Sequence, residues 1–250
     1  MVKTLKISSK KLKYKRRKVL GIVLIVVLGV ALIAGAFIAY NNFAKNQKDI
    51  DTQHKSLKKD GVSIETVSDN DVKSHSADQK APKTLNIPSL GIYSRVLPLG
   101  LLAPNNNVQQ LDVPKNISDS GWYDCTINPV AANRCAQKKL PNDGNTEFAN
   151  LIDGHSCEGF SYKCVFNDLS KVKENSEIII KLGSGEKITY KVKRVIAVPL
   201  SEVDMAAMMR PITKGGEGLN IITCAGNWTA KDSRGQETLD KRVEVFAIKE

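Results

Sequence analysis

A mainly β fold, a closed barrel of seven to eight strands with short helices, preceded by one transmembrane helix, is the architecture this 250-residue sequence predicts. Three observations carry that expectation. Val19–Tyr40 is a charge-free run of 22 residues near the N-terminus. From about Thr84 onward, short β-branched runs alternate with turn residues, and only two short helical patches interrupt them. The formal charge of +11 lies almost wholly at one end of the chain.

Charge location excludes one function class at once. Residues 1–18 hold seven Lys, two Arg and no acid, leaving 28 basic against 26 acidic residues in the remainder. A near-neutral remainder has no basic face for nucleic acid, so no nucleic-acid partner is expected. At about 1.5 Å per residue the apolar run reaches roughly 33 Å as a helix, enough to cross a hydrocarbon core of about 30 Å. Lys13, Lys15, Arg16, Arg17 and Lys18 border it, and the positive-inside rule puts that end in the cytoplasm. The competing reading is a cleaved signal peptide, for which the run is long. The predicted division is a cytoplasmic basic segment at 1–18, a signal anchor at 19–40, a flexible extracellular stem at 41–83 and a barrel domain at 84–250. The stem is polar, holds one aromatic residue (Phe43) and shows no sustained period, so it lacks the apolar surface that would offset its ordering entropy. His54 and His75 are read there as solvated residues.

Candidate strands are Leu85–Pro88, Ile92–Leu97, Phe148–Asp153, Ser176–Leu182, Lys187–Val198, Leu219–Cys224 and Arg242–Ile248. The fifth is the clearest, because Ile188, Tyr190 and Val192 alternate with Lys187, Thr189, Lys191 and Lys193. Gly183-Ser184-Gly185-Glu186 joins it to the fourth as a hairpin. Helical patches are expected at Phe166–Val172 and at Ser201–Met209, the second opened by Ser201, with Met205, Met208 and Met209 filling core gaps. So many short strands in one domain favour a barrel, with a sandwich as the second solution.

Five cysteines are present: Cys125, Cys135, Cys157, Cys164 and Cys224. An extracellular address permits disulfides. Four of them lie in loop-like segments and allow three pairings, of which the local one, Cys125–Cys135 with Cys157–Cys164, is preferred. Zinc on His155, Cys157 and Cys164 is an alternative whose spacing matches no common structural zinc pattern. Cys224 is left over at the end of a predicted strand. It is either a small buried hydrophobe, in a non-catalytic adhesin or envelope scaffold, or a nucleophile.

The nucleophile reading draws in two more residues. His155 is the one histidine within the predicted domain, placed just past a strand and after a glycine that permits a sharp turn; Arg242 opens the last strand. A thiolate attacks acyl groups, an imidazole moves the proton of the leaving or entering amine, and a guanidinium stabilises an oxyanion. The order His, Cys, Arg differs from the Cys-before-His order of papain-like enzymes.

With these residues the sequence resembles the sortases, cysteine transpeptidases that attach proteins to bacterial cell walls. Ile87-Pro88-Ser89-Leu90-Gly91-Ile92 is similar to the family's first-strand I-P-x-x-G-I. Gly121-Trp122-Tyr123 and Pro141-Asn142-Asp143-Gly144-Asn145 resemble the stretch leading to the histidine strand. Gly154-His155 matches the family's GH, Phe166-Asn167-Asp168-Leu169 its F-x-x-L, and Ile221-Ile222-Thr223-Cys224 its T-L-x-T-C, with Asn220 and Ile221 departing from the Thr-Leu. The Asp124–Leu140 segment looks inserted. Without an Asp-Pro-aromatic lid or a second apolar span, class E, class F or a housekeeping enzyme is nearer than a pilus polymerase. The resemblance implies Cys224 as nucleophile, His155 as general acid/base and Arg242 as oxyanion or substrate stabiliser. Thr223 and Trp228 become candidates for binding substrate. It further implies cleavage of a sorting signal similar to Leu-Pro-x-Thr-Gly, as in a thiol protease, and transfer to a cell-wall amine such as that of lipid II. The expected partners are therefore signal-bearing surface proteins and the membrane, with no cofactor implied.

Overall fold

The computed structural model describes residues 3–100, 111–124, 127, 141, 144, 146–157, 162–232 and 235–250, with side chains at position 23 and from position 27 onward. Two compact units divide the chain, Met1–Ile50 and Asp51–Glu250. Helix α1 (Lys3–Lys59) fills the first and gives its last turns to the second. It is long and apolar enough to cross a membrane. Its Leu32, Ile33, Phe37 and Ile38 side chains are exposed, an arrangement that hydrocarbon tolerates and water does not.

Residues 41–59, expected in a flexible stem, instead continue α1. Nucleation is the costly step in forming a helix; once the apolar segment is helical, a Lys-rich polar sequence without Gly or Pro propagates it. The end is a Schellman motif. Gly61 takes a left-handed φ of 68°, its N–H donates to Lys58 O at 3.2 Å, and Val62 N–H donates to Leu57 O at 2.9 Å. Leu57 and Val62 then share a buried apolar cluster, the usual companion of this cap. Helix α2 (Asp69–Ser74) follows, opened by a capping box between Ser68 and Asp71.

Eight strands form the barrel: β1 (Pro82–Ile87), β2 (Ile92–Leu99), β3 (Ser120–Tyr123), β4 (Asn150–Gly154), β5 (Glu177–Leu182), β6 (Lys187–Pro199), β7 (Gly218–Lys231) and β8 (Glu237–Lys249). They close in the order β1-β2-β3-β4-β7-β8-β6-β5. The β2/β3 and β4/β7 pairs are parallel and the others antiparallel. Inward side chains make one core, which includes Leu85, Ile87, Val96, Trp122, Ile152, Tyr190, Leu219, Ile221 and Val245. Trp122, 1% exposed, donates its indole N–H to Asn150 Oδ1 at 3.2 Å, which satisfies a polar atom inside the barrel. Arg95 grips Asp119 through two bonds of 2.8 and 2.7 Å and so ties β2 to the turn before β3.

Several expected boundaries move. Strand β3 was not foreseen, β7 runs on past Cys224 to Lys231, and β8 begins at Glu237 rather than Arg242. The Phe166–Val172 patch reduces to a 3-10 turn at Leu169–Lys171. The second patch is a 3-10 turn at Leu200–Glu202 and helix α3 (Met205–Met208), capped by Asp204 rather than Ser201.

Candidate active site

Strand β7 sets the site by simple alternation. Leu219 and Ile221 belong to the core inside the barrel, whereas Ile222 packs outside it with Leu151, Met208 and Phe246. By the same two-residue period Cys224 faces outward. Cys224 is a free, half-buried thiol. Met205 and Met209 flank the outer cluster, so the methionines pack against the outside of the sheet near the site rather than inside the barrel. Asn220 fastens that layer to β7, donating to Met208 O at 2.8 Å and Arg210 O at 2.9 Å.

Cys224 lies directly across from Arg242 in the antiparallel β7/β8 register. Opposed residues share a face, with Cβ atoms about 5 Å apart. Arg242 therefore stands mid-strand, and neither it nor Cys224 sits at a strand end as expected. Its guanidinium donates to Leu239 O (2.9 Å), Lys241 O (2.8 Å) and Thr238 Oγ1 (3.2 Å). Among the described residues, those bonds engage both Nη1 hydrogens and one on Nη2 and leave Nε–H and one Nη2–H. The hairpin remains paired beyond the site because a bulge between Ala225 and Trp228 absorbs an irregular step. Gly226 has φ 93° there, and a Cβ would collide with the Asp240 carboxylate, which accepts from Asn227 N–H at 2.8 Å.

His155 enters from the parallel neighbour β4. Gly154, the last residue of β4, pairs with Thr223, so His155 just past β4 and Cys224 within β7 are each the residue that follows this pair. Thr223 Oγ1 donates to Gly154 O at 2.8 Å and pins the chain just before the histidine. Gly154 serves by its lack of a side chain rather than by a turn. Its φ is not left-handed, and a Cβ there would lie 2.6 Å from the Phe166 ring. Phe166 N–H donates to His155 O at 3.0 Å. The imidazole Nε2 is 2.8 Å from Pro114 O. A carbonyl only accepts, so Nε2 carries the proton and Nδ1 the lone pair. Burial holds the His155 pKa below its ordinary value; the Pro114 carbonyl and Asp60 push the other way, and Lys115 adds to the lowering. Among the described residues, no hydrogen bond joins His155, Cys224 and Arg242 to one another.

Cys157 and Cys164 are joined by a disulfide, Cα atoms 5.3 Å apart. Both sulfurs are thereby occupied. Asn167 Oδ1 accepts from the backbone N–H of both cysteines, at 2.6 and 3.2 Å, and braces the loop after His155. Cys125 and Cys135 lie outside the described residues. Trp228 is half-buried in the β7/β8 hairpin, opposite Leu239.

Two features escaped the sequence reading. Pro114 contributes only a backbone oxygen, which leaves no side-chain signal. Asp153, two residues before His155, lines a shallow cleft with Asp112, Leu99, Leu111, Tyr123 and Leu151. Burial first, then the Asp112 carboxylate, push its pKa well above the usual carboxylate range.

An eight-stranded closed barrel carrying a free thiol opposite an arginine, with a histidine just past the end of the neighbouring strand, belongs to the class of thiol-bearing β-barrel proteins. Residues 85–247 match the family model of the sortase domain, and the chain belongs to the sortase family, a family of cysteine transpeptidases. Among solved structures it is similar to sortase C-1 from Actinomyces oris, at 14% identity and TM-score 0.44, over 67% of this chain and 72% of that one. It is similar also to sortase C from Streptococcus pneumoniae (11%, TM-score 0.44, 75% and 74%) and to sortase A from Corynebacterium diphtheriae (15%, TM-score 0.42, 83% and 85%). A search of curated protein sequences finds no match.

Proposed function

We propose that this chain is a membrane-anchored transpeptidase that cleaves a C-terminal sorting signal similar to Leu-Pro-x-Thr-Gly between Thr and Gly. It then passes the threonyl carbonyl to an amine of a cell-wall precursor such as lipid II. The observation that carries the reading is the placement of Cys224 opposite Arg242, with its neighbour Thr223 bonded to the residue before His155, inside a matched sortase domain. The N-terminal helix anchors the protein, its nine-charge basic end in the cytoplasm and residues 84–250 outside the cell.

In the first half-reaction the Cys224 thiolate attacks the Thr carbonyl carbon and the C–N bond to Gly breaks. The His155 imidazolium gives its Nδ1 proton to the leaving amine. The product is a thioester. In the second half the neutral imidazole takes a proton from the incoming amine, which attacks the thioester, and the thiolate leaves. The Arg242 guanidinium stabilises the oxyanion of each tetrahedral intermediate or holds the substrate backbone. Thr223 fixes the strand end that carries His155, and Trp228 borders the substrate groove.

The test uses the full chain in detergent micelles, a quenched fluorogenic Leu-Pro-x-Thr-Gly peptide and an oligoglycine amine. Cleavage and amine-dependent ligation are expected, both lost in Cys224→Ala and in His155→Ala. Full activity in either variant overturns the assignment. Hydrolysis that ignores added amine makes the protein a protease rather than a transferase.

A further inference from the structure

The segment from Gln53 to Glu65 touches both backbone stretches that flank His155. On one side, Gln53 Nε2 donates to Ser156 O at 3.2 Å and its Oε1 accepts from Tyr162 OH at 3.2 Å. Gln53 is only 3% exposed, and the next residue, His54, stacks on the Tyr162 ring with centroids 5.4 Å apart. On the other side, Ser63 forms a parallel bridge with Asn116. Ser63 N–H donates to Lys115 O at 2.8 Å, and Ile117 N–H donates to Ser63 O at 3.0 Å. Asn116 Nδ2 donates to Glu65 O at 3.0 Å. Between the two attachments, Leu57 and Val62 bury themselves against Ile117 and the Cys157–Cys164 disulfide. Pro114, whose carbonyl holds His155 Nε2, immediately precedes this bridged stretch.

An isolated carbonyl on an irregular segment is a poor anchor for an imidazole, because the segment's own freedom is passed to the ring. Here that freedom is removed by three backbone or amide bonds to Ser63 and Glu65 and by an apolar cluster beneath them. A buried glutamine satisfied at both ends is costly to misplace, since either orphaned partner loses its hydrogen bond. The arrangement therefore has one low-energy position for Pro114 O and one for Ser156.

We propose that residues 53–65 are a positioning element for His155. By fixing the Pro114 carbonyl they hold the proton on Nε2 and reserve Nδ1 as the nitrogen that exchanges protons with the reacting amine. Gln53, Leu57, Val62 and Ser63 are its positioning residues. The proposal rests on the general acid/base reading of His155 for its catalytic consequence, though not for the tautomer itself.

The test is imidazole nitrogen NMR of the full chain in micelles, labelled only at its three histidines, with His155→Gln for assignment. The expected wild-type signal is a single Nε2–H tautomer. Gln53→Leu and Val62→Asp, two independent ways to loosen the segment, should convert it to a tautomer mixture. Each should lower kcat about 10- to 100-fold with KM within about twofold, as misorientation of a proton-transfer group does. Asp60 and Lys115 are the charges that act on the ring; Gln53→Leu alters neither and adds none, so it separates positioning from electrostatics, whereas Val62→Asp adds a carboxylate of its own. Asp119→Asn is the control for a purely structural loss, expected to lower stability and leave the His155 signal unchanged. If Gln53→Leu folds and keeps one Nε2–H tautomer with wild-type kcat, the proposal is overturned; the same holds for Val62→Asp. If the tautomer mixes while wild type shows no transpeptidation, positioning stands and the catalytic role of His155 fails.

Discussion

Gly154→Ala is the most informative perturbation of the scaffold under the site. A Cβ at this position meets Cδ2 and Cε2 of Phe166 at 2.6 Å and Cγ1 of Val165 at 2.8 Å. Phe166 is 1% exposed and belongs to the barrel core, so its ring has nowhere to retreat. Overpacking of this kind costs about 1–3 kcal/mol. For a domain of this size that corresponds to a Tm lower by roughly 2–12 °C. The Phe166 backbone also holds the His155 carbonyl, so the clash should tilt the strand end and depress turnover. A double-mutant cycle isolates the contact. Phe166→Ala alone should cost about 3–5 kcal/mol. Added to Gly154→Ala, it should restore room for the methyl, so the pair should cost less than the sum by about 1 kcal/mol or more. Urea unfolding of the four proteins measures all terms. Strict additivity, or a Gly154→Ala protein as stable as wild type, would refute the claim that close ring packing is what requires glycine here.

Three further outcomes follow from the same geometry. Thr223→Val keeps the shape and loses the 2.8 Å bond to Gly154 O; it should cost about 0.5–1.5 kcal/mol by urea unfolding and reduce kcat. Asp153 has a folded-state pKa above its unfolded one, so its protonated form is favoured in the fold, and stability is lost as pH rises through the folded value. Asp153→Asn should therefore raise the Tm at pH 7.5 and leave it nearly unchanged at pH 4. His155 is depressed by burial, so the unfolded chain binds its proton first, and stability falls as pH drops below about 6.5. In His155→Gln the Tm lost between pH 7.5 and 5.5 should be smaller than in wild type.

Legibility in the sequence tracked how local each cause was. Strand β6 was plain because Ile188, Tyr190 and Val192 alternate with charged and hydroxyl residues, a pattern the chain carries by itself. Strand β3 was not, because Ser120-Gly121-Trp122-Tyr123 is four residues long and is held by parallel pairing with β2 and antiparallel pairing with β4. Those partners are far away in sequence. Strand β7 continues past Cys224 because a bulge stabilised by Asp240 carries the ladder through Gly226 and Asn227, residue types that by themselves favour turns. The helical stem was missed for want of an apolar period. Yet Leu57, Gly61 and Val62 had the spacing of a Schellman cap, and that signal was available. Of the candidate site, Cys224, His155 and Arg242 were legible by residue type and order. The face that Cys224 and Arg242 share was not, because it depends on the β7/β8 register. Pro114 was invisible because only its backbone oxygen takes part.

The central claim is that Cys224 carries the acyl group. Incubating the full chain with a Leu-Pro-x-Thr-Gly peptide without an amine acceptor, quenching in acid and mapping the adduct by tandem mass spectrometry tests it directly. The expected result is a peptide acyl mass ending at Thr on Cys224, absent from Cys224→Ala and discharged when oligoglycine is added. An adduct on another residue, or peptide cleavage that persists in Cys224→Ala, would contradict it.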